Sequence, residues 1–165
     1  MTSTDHHHHR SMNGFEVELC FQCISLQRTD MTFKVDGERF ATSSRTLKLY
    51  SNANYRVVIR TRPAMDIQKV FLGGDTFNLE HSIEQPGTCS FKWDTTGISE
   101  SKRRNRHTLQ LDIQYSAVSV QHGLQCKFYK LNDPHANWGD KVDWIVLKCS
   151  HSEENNATVT EEEFV

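Results

Sequence analysis

Phe15-Glu16-Val17-Glu18-Leu19-Cys20-Phe21-Gln22-Cys23 alternates apolar and polar side chains along its length. Successive side chains of a strand point to opposite faces. Phe15, Val17, Leu19, Phe21 and Cys23 therefore share one face, and Glu16, Glu18, Cys20 and Gln22 the other. The pattern predicts a half-buried strand. It also decides what the Cys20-Phe21-Gln22-Cys23 spacing means. An odd offset on a strand sends the two thiols to opposite faces, whereas zinc and dithiol CxxC pairs converge from a tight turn or a helix start. No second CxxC and no paired histidines supply further ligands. Both cysteines are read as structural, and neither metal nor cofactor is expected.

The same period of two recurs along the chain. MTFKV (31–35) and RFATS (39–43) flank Asp36-Gly37, a strong hairpin signal. RTLKLY (45–50), NYRVVIRTR (54–62), IQKVFL (67–72) and DTFNLEHS (75–82) follow, the last two joined by Gly73-Gly74. TCSFKWDTT (88–96), HTLQLDIQY (107–115), LQCKFYKL (124–131) and VDWIVLKC (142–149) complete the set. No stretch has the spacing of an amphipathic helix. About ten uneven strands with several long connections predict an all-β domain, a single antiparallel β-sandwich with Greek-key-like crossovers. That domain is placed at residues 14–150. Residues 1–13, with the His6 to His9 run, are set apart as a disordered or tag-like N-terminus. Residues 151–165, acidic and poor in apolar groups, are expected to be a flexible tail.

Composition narrows the function classes. Lys plus Arg is 19 against 21 Asp plus Glu, so the chain lacks the basic excess that general nucleic-acid binding requires. No apolar run approaches the ~20 residues of a membrane-spanning helix. The polar N-terminus has no secretory apolar segment. With five cysteines, an odd number, a reduced, cytoplasmic setting is expected.

No chemistry-bearing motif stands out. There is no phosphate loop and no nucleophile elbow. Cys126 and His122 would share a strand face, but four residues apart they are separated by ~13 Å. The expectation is a protein without enzymatic activity. Three features suggest binding instead. Arg56, Arg60 and Arg62 form a stripe on one strand face, suited to pair with carboxylates of an extended peptide. Trp138 sits in the turn-rich loop NDPHANWGD (132–140) and is expected to be tucked onto the end of the sandwich. Glu163-Phe164-Val165 end the sequence on apolar residues after an acidic run, the kind of terminus that groove-and-nest pockets capture.

The stretches KVDGERF, RTLKLY, FLGG, WDTTGIS, KFYKLND, NWG and VLKC occur in one order. Together they resemble the cannabinoid receptor-interacting protein family, over about residues 15–150, with EEFV placed like that family's C-terminus. The resemblance implies a cytosolic antiparallel β-sandwich without known catalysis. It implies an adaptor that binds the intracellular C-terminal tail of the type 1 cannabinoid receptor and tunes its signalling. Such a partner would recruit it to the inner face of the plasma membrane. Two departures stand out. The family lacks a cysteine pair in its first strand, and Glu163 stands where its PDZ-like ending has serine. The alternative function is a lipid carrier, because the expected sandwich also resembles the Rho GDP-dissociation inhibitor type. In that reading Phe21, Phe71, Phe77, Trp93 and Phe128 would line a slot between sheets.

Overall fold

Alternation in the sequence becomes alternation in burial. In the computed structural model, which describes residues 14–36, 44–102 and 105–165, the first strand, β1 (Gly14–Cys23), turns Phe15, Val17, Leu19, Phe21 and Cys23 into the core. Glu16, Glu18 and Gln22 stay half-buried on the other face. Twelve further strands follow among the described residues: β2 (Met31–Asp36), β3 (Ser44–Tyr50), β4 (Asn54–Arg62), β5 (Ile67–Leu72), β6 (Asp75–Thr76), β7 (Glu80–His81), β8 (Thr88–Asp94), β9 (His107–Tyr115), β10 (Ser119–Tyr129), β11 (Asp140–Val142), β12 (Ile145–His151) and β13 (Asn156–Phe164). One 3-10 turn, Pro134–Asn137, lies between β10 and β11. The N-terminal segment (1–13), the Gly37 turn and the RFATS strand (39–43) lie outside the described residues.

All thirteen strands join one hydrogen-bonded sheet. Its main order is β11-β2-β3-β10-β13-β12-β1-β4-β8-β7, with β9 on β10, β5 on β9 and β6 on β5. The sheet is mixed rather than antiparallel throughout: β10 runs parallel to both β3 and β13. It also turns back on itself. The Phe15 ring of β1 meets Tyr115 of β9 edge-on at 6.0 Å. The Tyr115 hydroxyl lies 2.6 Å from the Thr61 hydroxyl of β4. Trp93 of β8 contacts Phe128 of β10 at 6.4 Å. These strands are remote in the hydrogen-bonded order, so their inner side chains meet only because the sheet encloses a single core.

The expected strand number is too low for identifiable reasons. DTFNLEHS yields two short strands, β6 and β7. VDWIVLKC is interrupted at Asp143-Trp144, between β11 and β12. The largest difference is at the end of the chain. Residues 156–164, expected in a flexible acidic tail, form β13 and pair with β12 from Ile145↔Phe164 to His151↔Ala157. Lys148 explains how an acidic run enters a sheet. Its ammonium lies 3.6 Å from Glu161 and 3.1 Å from Glu163, and Phe164 packs on Phe33 at 4.8 Å.

The five cysteines are all buried and unpaired. Cys23 faces the core, and burial raises its pKa. Cys20 faces the other way and is covered by the β1–β2 connection, its thiol donating to the Thr29 carbonyl at 3.5 Å. Burial pushes the Cys20 thiol up to about 11 and the Cys126 thiol up to about 12. Thiols held protonated in this way are poor nucleophiles and poor metal ligands.

Two outcomes check this architecture. Leu19→Ala removes a fully buried side chain at the centre of β1 and should lower the unfolding free energy in urea by ~2–5 kcal/mol. Hydrogen exchange should show slowed amides across residues 157–164; exchange at random-coil rates there would restore the flexible tail.

Candidate functional site

The arginine stripe lies where its sequence places it, but it is already partnered. Strand register sets Glu18 opposite Arg60 and Glu16 opposite Arg62. Glu18 Oε1 accepts from Arg60 Nε at 2.9 Å and lies 3.1 Å from Arg62 Nε. The Arg60 guanidinium also stacks 4.0 Å from the Trp144 ring centroid. Arg56 donates to Ser90 Oγ at 2.8 Å and lies 3.7 Å from Glu80. The face is a cross-strand ladder of opposite charges, continued by Lys148 between Glu161 and Glu163. Such pairs stabilise a sheet and leave little charge for a ligand.

Glu163, Phe164 and Val165 are likewise engaged. Val165 N–H donates to the Trp144 carbonyl at 2.9 Å, and its own carbonyl accepts from Trp144 at 3.1 Å and Asp143 at 2.8 Å. The aromatic residues of the proposed lipid slot do not line one space. Phe21 and Phe128 pack on Trp93 in the core, Phe77 stacks on Phe91 at 4.4 Å, and Phe71 carries the Lys69 ammonium over its ring at 5.0 Å. A small, partly open pocket lined by Phe21, Met31, Leu49 and Tyr55 and also by Arg28 and Lys48 measures about 20 Å³, room for a water molecule and not for an acyl chain.

Trp138 is the sequence-predicted residue that remains available. It was expected to be tucked in; its side chain is instead 61% exposed. The loop backbone is what is anchored. Asp133 caps the 3-10 turn, accepting from His135 N–H at 2.9 Å and lying 2.9 Å from His135 Nδ1. These contacts hold the Asp133 carboxyl below the usual carboxylate range. Asn137 Oδ1 accepts from Tyr50 Oη at 3.2 Å and from Arg28. Lys48 Nζ donates to the His135 carbonyl at 2.8 Å and to the Trp138 carbonyl. Gly139 has φ +138, and a Cβ there would lie 2.4 Å from the Phe33 carbonyl oxygen. With its backbone held so closely to β2 and β3, the indole has no inward path and rests against the His135 ring at 4.2 Å.

Beside Trp138 the sheet does something unusual with charge. Lys141 of β11 pairs with Thr32 of β2, Thr32 with Lys48 of β3, and Lys48 with Lys127 of β10. Three lysines thus stand in one row across four strands. Like charges placed opposite one another destabilise a sheet. Lys48 and Lys127 also lie over the same Tyr129 ring, at 5.3 and 5.4 Å. The Lys48 pKa is lowered, by burial first and then by Lys34, Lys127 and Lys141. A cleft of about 1030 Å³ opens at the Lys48–Lys127 end of this row. Lys34, Lys48, Lys127 and Tyr129 line it together with Trp138 and Lys102 of the β8–β9 connection. Two carboxylates also face it: Glu100, 3.6 Å from Lys130, and Asp133, held by His135.

Sequence reasoning missed this row because its lysines come from separate strands and meet only through register. The local signal was Lys127-Phe128-Tyr129-Lys130, which sets a lysine and a tyrosine on one strand face. Among the described residues no cluster of His, Cys, Asp or Glu is arranged to hold a metal ion. No helix there is long and apolar enough to cross a membrane.

Comparison with known proteins gives one consistent match. A family model described as CB1 cannabinoid receptor-interacting protein 1 matches residues 11–164. The curated proteins of that name from Bos taurus, Rattus norvegicus and Homo sapiens are each 27% identical to this chain over 128 residues. That alignment covers 73% of this chain and 77% of each relative.

The loop geometry separates two substitutions. Trp138→Ala should change stability by no more than ~0.5 kcal/mol, as for an exposed side chain. Gly139→Ala should cost ~1–3 kcal/mol, because a Cβ meets backbone and the dihedral is strained. Thermal melts of both variants check the contrast.

Proposed function

The chain belongs to the CB1 cannabinoid receptor-interacting protein family, and from that premise we propose that it is a non-enzymatic adaptor that binds the intracellular C-terminal tail of a G-protein-coupled receptor of the cannabinoid type 1 kind and tunes its signalling. The relatives are named for interaction with that receptor. In the same reading the doubled-over sheet is a β-sandwich resembling the Rho GDP-dissociation inhibitor type, and the receptor holds the protein at the inner face of the plasma membrane.

The observation that carries the placement of the tail is the lysine-floored cleft beside the displayed Trp138. An exposed aromatic next to like charges in register is a poor way to stabilise a sheet and a good way to hold a polar peptide. Trp is prominent among the residues that dominate binding energy at interfaces, and lysines steer and orient an anionic partner. The arginine stripe is the weaker candidate, since Glu18 serves both Arg60 and Arg62. A PDZ-type capture of Glu163-Phe164-Val165 would first require Val165 to leave Trp144.

Fluorescence polarisation with a labelled peptide of the cannabinoid type 1 receptor C-terminal tail tests the reading. Trp138→Ala should weaken binding tenfold or more, about 1.4 kcal/mol, while the fold is retained. Binding should weaken as salt rises, because exposed charges are screened over ~8–10 Å. Replacing Arg56, Arg60 and Arg62 together with Gln should leave affinity within about twofold, since these guanidinium groups already face Glu80 and Glu18. The opposite ranking would move the tail to the arginine face, and no binding by the wild type would remove the receptor reading.

A further inference from the structure

We infer that the outer edge of β8, at Lys92 to Asp94, pairs with the same edge of a second copy of this chain. The pairing is antiparallel about a two-fold axis, so that each Lys92 faces Asp94 of the other copy. None of these residues lines the Trp138 cleft, so the inference stands apart from the receptor reading.

The phase of the hydrogen bonds leaves this edge open. β4 and β8 are antiparallel from Asn54↔Asp94 to Arg60↔Thr88. Just beyond the two ends of that ladder, Thr61 N–H donates to the Gly87 carbonyl and Thr95 N–H to the Ala53 carbonyl, each at 2.9 Å. Opposed residues of an antiparallel pair alternate between bonded and non-bonded pairs. Val57↔Phe91 and Tyr55↔Trp93 are therefore the bonded pairs, and Lys92 and Asp94 turn their own N–H and C=O groups away from β4. On that far side β7 reaches only as far as Ser90, through Glu80. Among the described residues no strand continues the pairing to Lys92 or Asp94. Phe91 and Trp93 point into the core, while Lys92 and Asp94 are exposed.

Charge selects the occupant and its register. Lys92 has Arg56 as its register partner on β4, and among the described residues no carboxylate pairs with it. Thr96 Oγ1 and N–H donate to Asp94 Oδ1 at 2.6 and 2.8 Å, which holds that carboxyl below the usual carboxylate range and leaves Oδ2 for a cation. A lone lysine on an edge strand guards it against other strands. Lys92-Trp93-Asp94 is different, because it is complementary to itself when reversed. Setting Lys92 on Lys92, or Asp94 on Asp94, opposes like charges, which is destabilising. The intermediate register, with Trp93 on Trp93 at the axis, sets Lys92 on Asp94 and lets that pair exchange N–H and C=O bonds. A two-fold contact repeats every interaction, so both charges of both copies are matched. The contact is short, bounded by Glu80 at one end and the Asp94–Thr96 turn at the other, and small contacts give weak, concentration-dependent association.

Sedimentation and NMR of the full chain test the pairing. As concentration rises from micromolar to millimolar, the weight-average mass should climb and the Lys92 and Asp94 amides should shift together. In a mixture of isotope-labelled and unlabelled protein, a filtered NOE should join the Trp93 Hα atoms of the two copies, since non-bonded antiparallel partners bring their Cα atoms to ~4.5 Å. Lys92→Glu and Asp94→Lys, each checked by a thermal melt, should separately weaken association at least tenfold, because each sets like charges opposite. An equimolar mixture of the two variants should restore it, because every opposed pair is again unlike. Lys92→Glu leaves the Thr96 turn intact, so it tests the register even if Asp94→Lys folds poorly. A chain that stays monomeric at millimolar concentration overturns the inference and leaves Lys92 as a guard on the edge. So does association that Lys92→Glu does not weaken, or a mixture of two folded variants that associates no better than either alone.

Discussion

The register of β1 between its two neighbours is the constraint on which the rest of the molecule depends. β1 pairs with β4 from Glu16↔Arg62 to Cys23↔Tyr55 and with β12 from Gly14↔Ser150 to Leu19↔Ile145. A slip of one residue would exchange the faces of the strand. Glu16 and Glu18 would enter the core, and Val17, Leu19 and Phe21 would meet water. Burying unpaired carboxylates is costly enough to make that alternative inaccessible. The same register sets Glu18 between Arg60 and Arg62 and sends Phe15 inward to Tyr115. One alternating stretch thus fixes both the enclosed core and the neutralised outer face.

Two charged faces of one sheet have opposite logic. On β1, β4, β12 and β13 charges alternate in sign from strand to strand, with Glu18 paired to Arg60 and Arg62, and Lys148 to Glu161 and Glu163. On β11, β3 and β10 the charges share a sign. The first arrangement serves the fold. The second works against it, and local conflicts of this sort mark places where a sequence serves something besides stability. The polar anchoring of the Trp138 loop belongs with the second face. Lys48 holds the loop by its carbonyls while remaining a member of the charged row.

Much of the fold was legible because burial on a sheet repeats every second residue, a signal that survives without any knowledge of neighbours. The inward sets of β1, β4 and β9 follow directly from it. β13 escaped because Glu161-Glu162-Glu163 reads as a solvated run unless Lys148 is known to lie opposite. The arginine stripe was visible, but not its partners, since Glu18 lies more than thirty residues away in sequence. Trp138 was singled out and its orientation misjudged. The Phe33 carbonyl that holds Gly139 close belongs to a distant strand, and nothing in NDPHANWGD reveals it. The lysine row was the least legible element, for it exists only after β11, β2, β3 and β10 have aligned.

The position of β13 has a consequence for how the protein is made. Last in sequence, it lies between β10 and β12 in the hydrogen-bonded order. A chain emerging from the ribosome can form the β1–β4 pair early, but the strand that bridges the two halves of the sheet emerges after every other described strand. Until then β12 has an open edge where β13 will pair, and exposed edges invite association with other chains. Sheets dominated by pairings between distant segments also close slowly. Closure of the sheet therefore waits for β13, after every other described strand has emerged.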